Sequence, residues 1–268
     1  MIQIEEYIPK TARHVPITHI AIAAHKDDGE MLALHGILNC YDKGGFALIV
    51  LTDGGNCPKS GKYADVSYDD MAELRTEEQK RAATFGKYEK VYFLQLPSSS
   101  LETDFDEISS KVATIFNENP TIKYVYAHSL FDRHKTHINA SKIAIESIRQ
   151  SKYKGKIKML YGVELWRDLD WIPENEQILL DVSGSKDFAM ELLSFFPSQN
   201  QSKMYNKGFC GRVVANATFS NSHSNSLASE QIRAIDMTKL VFADKNAVRA
   251  FVDEQLGKFK QEILPLFS

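Results

Sequence analysis

The chain has 268 residues, 43% hydrophobic and 25% charged, with a formal net charge of -3. That balance is ordinary for a globular protein and leaves no basic footprint for a polyanion, so no nucleic-acid partner is expected. Three scattered cysteines, Cys40, Cys57 and Cys210, contain no CxxC pair and offer neither a disulfide framework nor a thiolate zinc site.

The first fifteen residues carry early acids and lack the apolar run of a secretion signal. No later stretch approaches the ~20 apolar residues that span a bilayer, so a cytoplasmic chain without membrane contact is expected. Residues 17–24 read as a short buried strand, followed by a helix from about Asp28 to Tyr41. Asp28 and Glu30 suit that helix start, because carboxylates there face the positive end of the dipole. Residues 46–52, FALIVLT, form a second apolar strand of the kind covered on both faces. Asp53-Gly54-Gly55 and a polar loop lead to a charged helix over 68–86. Strands over 90–96 and 124–128 alternate with helices over about 104–118 and 138–150. Four such alternations predict an α/β fold, a doubly wound, mostly parallel sheet with helices on both faces.

The second half is less regular. Residues 158–166 and 177–183 read as strands added in antiparallel fashion. A helix from about residue 186 stops near Pro197. The Ser/Asn-rich stretch 198–226 reads as mobile loops near the open end of the sheet. Helices are expected over about 228–240 and 243–263. The last carries an apolar stripe, Val248, Phe251, Val252 and Leu256, suited to packing or to contact with a second copy in a homo-oligomer. Without an internal repeat or a linker, residues 1–268 read as a single domain.

Two clusters carry the chemistry. His25-Lys26-Asp27-Asp28-Gly29-Glu30 sits at the first strand-to-helix turn, and Asp132-Arg133-His134-Lys135-Thr136-His137 follows the strand at 124–128. Such charge is costly in a core and sensible at the carboxyl edge of a parallel sheet. His25 and Asp28 are three apart, as are His134 and His137, a spacing that can aim two side chains at one point. The clusters meet if their strands are neighbours. Two imidazoles and a carboxylate suit a catalytic zinc site, with a spare carboxylate as base and a spare imidazole as acid. A bound divalent ion brings the pKa of its water to about 7, which suits a hydrolase. Spacing alone does not say which residues bind and which react.

Ala24-His25-Lys26-Asp27-Asp28-Gly29-Glu30 resembles the A-H-x-D-D-x-E opening of the PIG-L/LmbE-like N-deacetylases. Thr52-Asp53-Gly54, Arg75 to Glu78, Asp132 to His137 and Ser198-Gln199 resemble that family's later segments in the same order. The resemblance implies an LmbE-like fold and a hydrolase that removes an acetyl group from an N-acetylated amino sugar or its conjugate. It implies zinc, or another divalent metal, held by His25, Asp28 and His137, and no organic cofactor. Asp27 would be the general base. His134 would stabilise the oxyanion or protonate the leaving amine. Arg75 and Lys26 are the substrate-binding candidates. Arg75 competes with a helix-surface ion pair to Glu78, and Lys26 stands where the family often has proline. Thr136 replaces an aspartate that would orient a histidine, which either changes the pKa of His134 or leaves that job to Asp132, and Ser98-Ser99 replaces an acid that binds sugar hydroxyls in some relatives. Asp53 and His128 read as structural, and His223 lies in a segment that could fold over a substrate. The alternative is a metal-dependent hydratase or lyase on a small organic acid, favoured by Lys26, Arg75 and Arg133.

Overall fold

The apolar segments of the first half pair into one sheet, and the order in which they pair creates the site. The structure is a computed structural model and describes residues 2–221, 223 and 225–267. Its strands are β1 (Glu5–Tyr7), β2 (His19–Ala23), β3 (Phe46–Thr52), β4 (Lys90–Leu96), β5 (Tyr124–His128), β6 (Met159–Val163), β7 (Gln177–Asp181) and β8 (Gln231–Asp236). Its helices are α1 (Asp28–Leu32), α2 (Leu34–Cys40), α3 (Tyr68–Phe85), α4 (Ser100–Thr103), α5 (Phe105–Glu118), α6 (Lys135–Gln150), α7 (Lys186–Ser194), α8 (Pro197–Lys203), α9 (Tyr205–Thr218) and α10 (Ala247–Ile263).

The strand order is β1-β4-β3-β2-β5-β6-β8-β7. The five strands from β4 to β6 run parallel. β1 is antiparallel to β4, and β8 is antiparallel to both β6 and β7. The sheet is therefore mixed, with a parallel centre. From β2 the chain winds outward through β3 and β4, then returns to place β5 on the other side of β2. The connections leaving β2 and β5 diverge there, which opens a crevice at their carboxyl ends.

Both faces of the sheet are covered, as the continuous apolar strands require. Ile20 and Ile22 pack with α5, α6 and α10 through Ile108, Ile143 and Phe251. Ala21 and Ala23 face the other way, toward α2, α3, α7 and α9 through Ile37, Ala82, Leu192 and Val213. Each fully buried Ile or Leu of this kind stabilises the fold by about 1.5–3 kcal/mol.

Several expectations need correction. The helix expected over 28–41 breaks at Ala33, whose φ of -118° leaves the helical region. The strand at 159–163 is parallel, not antiparallel, because it adds beside β5. Residues 231–236, expected to be helical, form β8, whose apolar side chains are wanted by both β6 and β7. The stretch 198–226, expected as loops, carries α8 and α9. α7 does end at Ser194, close to Pro197, and Pro197 itself starts α8, where its missing N–H costs no hydrogen bond. Ser222 and Ser224, in the expected loop, lie outside the described residues. No helix among the described residues is long and apolar enough to cross a membrane.

Candidate metal centre and its cleft

The turn after β2 sorts two adjacent carboxylates into different surroundings. Asp27 adopts φ 98°, in the left-handed region that side chains rarely occupy. That conformation costs on the order of 1–3 kcal/mol and persists only when neighbours over-determine it. Here the Asp27 N–H donates to Gln79 Oε1 at 3.3 Å, and Gln79 Nε2 donates to the buried Glu30 at 2.6 Å. Beyond the turn, Asp28 opens α1 and curls back, so that its Oδ2 accepts the His25 backbone N–H at 2.8 Å.

The second cluster arrives from β5, which pairs directly with β2. α6 starts at Lys135 rather than near 138, so His134 is the residue before its first turn and His137 lies within it. His25 Nδ1, Asp28 Oδ2 and His137 Nε2 then converge. The separations are 3.1 Å for His25–Asp28, 3.2 Å for His25–His137 and 3.4 Å for Asp28–His137. Ligand atoms at 2.0–2.1 Å from a tetrahedral ion stand about 3.3 Å apart. The donor set and its spacing thus fit a divalent cation of zinc's size. His134 lies close enough to join His25 and His137, and His128 to join Asp28 and His137. His128 Nε2, however, accepts the Ala24 N–H at 3.0 Å, so its lone pair is engaged.

The surroundings favour a cation between these three groups. Burial opposes the charge on Asp28, but the imidazoles of His137, His128 and His25 outweigh it and hold its carboxyl well below the usual range. Burial likewise opposes charge on His137, while Asp28 and Asp132 win and raise it. Asp132 Oδ2 sits 2.8 Å from His137 Nδ1, which leaves Nε2 to face the other donors. The other oxygen of Asp132 accepts the His134 backbone N–H at 2.8 Å. Asp132 therefore contacts both histidines of the second cluster, the His137 ring and the His134 backbone.

Asp27 stays outside the three-donor cluster. Burial pushes its carboxyl well above the ordinary value, against the pull of Arg75. Arg75 Nη2 donates to Asp27 Oδ1 at 3.1 Å and also to the Lys26 carbonyl, while Nη1 donates to the Gly54 carbonyl. Gly54 must be glycine here: its φ is +73°, and a Cβ would lie 2.7 Å from Arg75 Nη1. The expected surface pair of Arg75 with Glu78 does not form. Glu78 instead accepts the N–H and hydroxyl of Ser198 at 2.9 and 2.6 Å, which ties α3 to the start of α8.

Lys26 is a correction. The resemblance makes it a substrate-binding candidate, yet its side chain is fully buried and does not line the cleft. Its Nζ donates to the carbonyls of Asp53 and Ala72 and to Gln95 Oε1, bracing the loop after β3. A lysine satisfies three acceptors there, where the family's common proline would offer no side-chain donor. Arg75 does line the cleft, and three hydrogen bonds from its Nη1 and Nη2 go to protein oxygens, while its Nε has no partner among the described residues.

The cleft has a cavity volume of about 450 Å³ and is lined by all five catalytic and metal candidates. That lies within the range of small-molecule sites. The His134 ring is 6.4 Å from Trp166, nearly parallel to it, and Tyr205 meets Trp166 edge-on at 6.2 Å. Glu164 at the end of β6 also lines it, accepting from Ser129 Oγ at 2.7 Å. Trp166, Tyr205, Glu164, Arg212 and Arg233 escape a reading of the sequence, because no spacing motif links residues brought together by β6, α9 and β8. His223 is exposed and lies outside the cleft wall.

Residues 20–148 match the PIG-L family, described as GlcNAc-PI de-N-acetylase. That match spans just under half of the chain. The PIG-L stretch holds every metal and catalytic candidate, whereas Glu164, Trp166, Tyr205, Arg212 and Arg233 lie beyond it. The conserved protein TT1542 from Thermus thermophilus is 17% identical, with a TM-score of 0.65 over 82% of this chain and 94% of that one. GalB, the 4-carboxy-2-hydroxymuconate hydratase from Pseudomonas putida, is 18% identical, with a TM-score of 0.62 over 83% and 96%. The N,N'-diacetylchitobiose deacetylase from Pyrococcus horikoshii is 14% identical, with a TM-score of 0.63 over 87% and 88%. At these identities the likeness is one of fold, and the fold hosts both a deacetylase and a hydratase.

Proposed function

We propose that this chain is a metal-dependent N-deacetylase that removes an acetyl group from an N-acetylated amino sugar or amino-sugar conjugate. The observation that carries this reading is the tetrahedral spacing of His25, Asp28 and His137 beside a second carboxylate, Asp27, that they leave free. These three residues would hold zinc or another divalent cation. When bound, such an ion polarises an amide carbonyl and lowers the pKa of water.

The remaining work falls to the chain's own groups. Arg75 engages Asp27 Oδ1 and fixes the carboxylate's orientation, so the other oxygen takes the proton of the attacking water. Burial favours the protonated form of Asp27, which suits a group that must accept a proton and pass it on. His134 lines the cleft between His25 and Trp166 and would be the group that donates to the departing amine. The aromatic wall of Trp166 and Tyr205 suits the apolar face of a sugar ring.

Of the cations that favour the hydratase alternative, Lys26 is spent on protein oxygens and Arg133 is exposed and absent from the cleft wall, while Arg75 lines the cleft together with Arg212 and Arg233, and hydration is the activity of the GalB neighbour. The test is acetate release from N-acetylglucosamine conjugates by protein loaded with a divalent metal, with unsaturated acids as the second arm. Asp27→Asn is expected to cut turnover by about 10²–10⁴-fold while metal content stays that of the parent. Metal-loaded protein that releases no acetate from any such conjugate, or hydrates an unsaturated acid instead, overturns the reading.

A further inference from the structure

We propose that Glu164 is a positioning residue that ties the cation-holding cluster and the aromatic wall of the cleft to one another, so that both depend on a single carboxylate. This role rests on the deacetylase reading for the identity of the substrate.

Glu164 directly follows β6, which ends at Val163, and is only 2% exposed. Its two oxygens serve two different loops. Oε2 accepts the Ser129 hydroxyl at 2.7 Å. Ser129 opens the loop after β5. Its N–H donates to the Val163 carbonyl at 2.9 Å, and its Oγ accepts the Phe131 N–H at 3.1 Å. Asp132 comes next in that loop, and it is the residue that holds the His137 ring and the His134 backbone. The other oxygen, Oε1, accepts the N–H groups of Trp166 and Arg167 at 3.2 and 3.1 Å. Those two bonds close the turn that sets Trp166 nearly parallel to the His134 ring.

A carboxyl is costly at this place. Burial and the charge of Asp132 both oppose its ionised form and push it up to about 7. Packing alone would favour an apolar side chain. What offsets the cost is the three donors gathered from its own turn and from a loop 35 positions away. Both oxygens are engaged by protein donors, so Glu164 acts through the groups it holds. The turn has a further tie, from Arg212 of α9 to the Leu165 carbonyl, and so should loosen rather than unfold when Glu164 is lost.

Two affinities test this on Asp27→Asn protein, which keeps acetylated ligands intact: zinc, by competition with a chelator, and N-acetylglucosamine, by calorimetry on the zinc-loaded form. Ser129→Ala should weaken zinc binding about fivefold, the scale of one lost hydrogen bond, and leave the sugar affinity within about twofold. Glu164→Ala should weaken zinc binding by a similar factor and sugar binding about fivefold as well. Glu164→Gln should restore both, because its carbonyl can accept the two N–H groups and its amide can reach the Ser129 oxygen. Should Glu164→Ala not fold, Glu164→Asp, one methylene short of both loops, takes its place with the same expectation.

Zinc affinity unmoved by Ser129→Ala, or sugar affinity unmoved by Glu164→Ala, overturns the proposal. So does a Glu164→Gln protein as impaired as Glu164→Ala, which would give the charge itself a direct part. Lower melting temperatures with both affinities intact would leave Glu164 a plain structural residue. Acetate release by the unmutated protein is read separately. If it is absent while the zinc affinities fall and recover as stated, the deacetylase reading falls and the tie between Glu164 and the cation-holding cluster stands.

Discussion

At the sheet edge, His25, Asp28 and His137 stand 3.1–3.4 Å apart, and Asp132 steadies the second cluster at 2.8 Å. Across the cleft, Arg233 holds its partners at 3.3–3.4 Å, with none for Nε among the described residues, beside a helix carrying two glycines whose Cβ would meet no described atom within 4 Å. The edge is built from short strand-to-helix turns on neighbouring parallel strands, which leave few conformations to each side chain. The wall is built from segments after residue 148, beyond the family match. Chemistry needs atoms fixed to within a few tenths of an ångström, whereas a substrate-selecting wall tolerates slack and keeps donor capacity for a ligand.

The largest effect should come from the edge. His137→Ala is expected to weaken divalent metal binding by more than about 100-fold and to abolish turnover, read by metal analysis after dialysis against a weak chelator. Full metal content in that variant would show that the three-donor point is not the metal site. Asp132→Ala should cost about 10–100-fold in metal affinity, because His137 loses the partner that sets its tautomer. An unchanged affinity would make Asp132 a mere helix-start residue.

The wall should answer differently. Trp166→Ala should raise KM about tenfold with metal content unchanged, the scale of one lost aromatic contact. Loss of metal in that variant would erase the division between edge and wall. The smallest effect concerns Glu164, whose carboxyl burial pushes up to about 7. A raised carboxyl binds its proton more tightly when folded, so its stability contribution is full below about pH 4 and is lost as pH rises through about 7. Glu164→Gln should therefore be more stable than the parent above pH 7, by on the order of 2 kcal/mol, with no gain near pH 4. Thermal melts across that range check it, and a gain of equal size at both ends would refute the account.

Much of the edge is legible in the residues. A continuous apolar strand followed by adjacent carboxylates, and a second strand followed by HxxH, are local patterns, and local patterns survive folding when the sheet is parallel and covered on both faces. Lys26 misleads because a charge beside a site looks like a ligand contact. Only the path of its side chain to the Asp53 and Ala72 carbonyls shows it to be a brace. Residues 231–236 mislead because their mixed apolar and charged pattern suits a helix as well as a strand. The unpaired edges of β6 and β7, distant in sequence, decide between them.

The sequence by itself determined the alternation of strands and helices, and the two clusters able to hold a cation. Those depend on spacing within a dozen residues, which backbone periodicity converts directly into direction. Tertiary structure alone decided that β5 lies beside β2, that Arg75 serves Asp27 rather than Glu78, and that α9 and β8 close the cleft. Each of these joins residues separated by tens of positions, and what selects them is competition among partners for buried surface and hydrogen bonds.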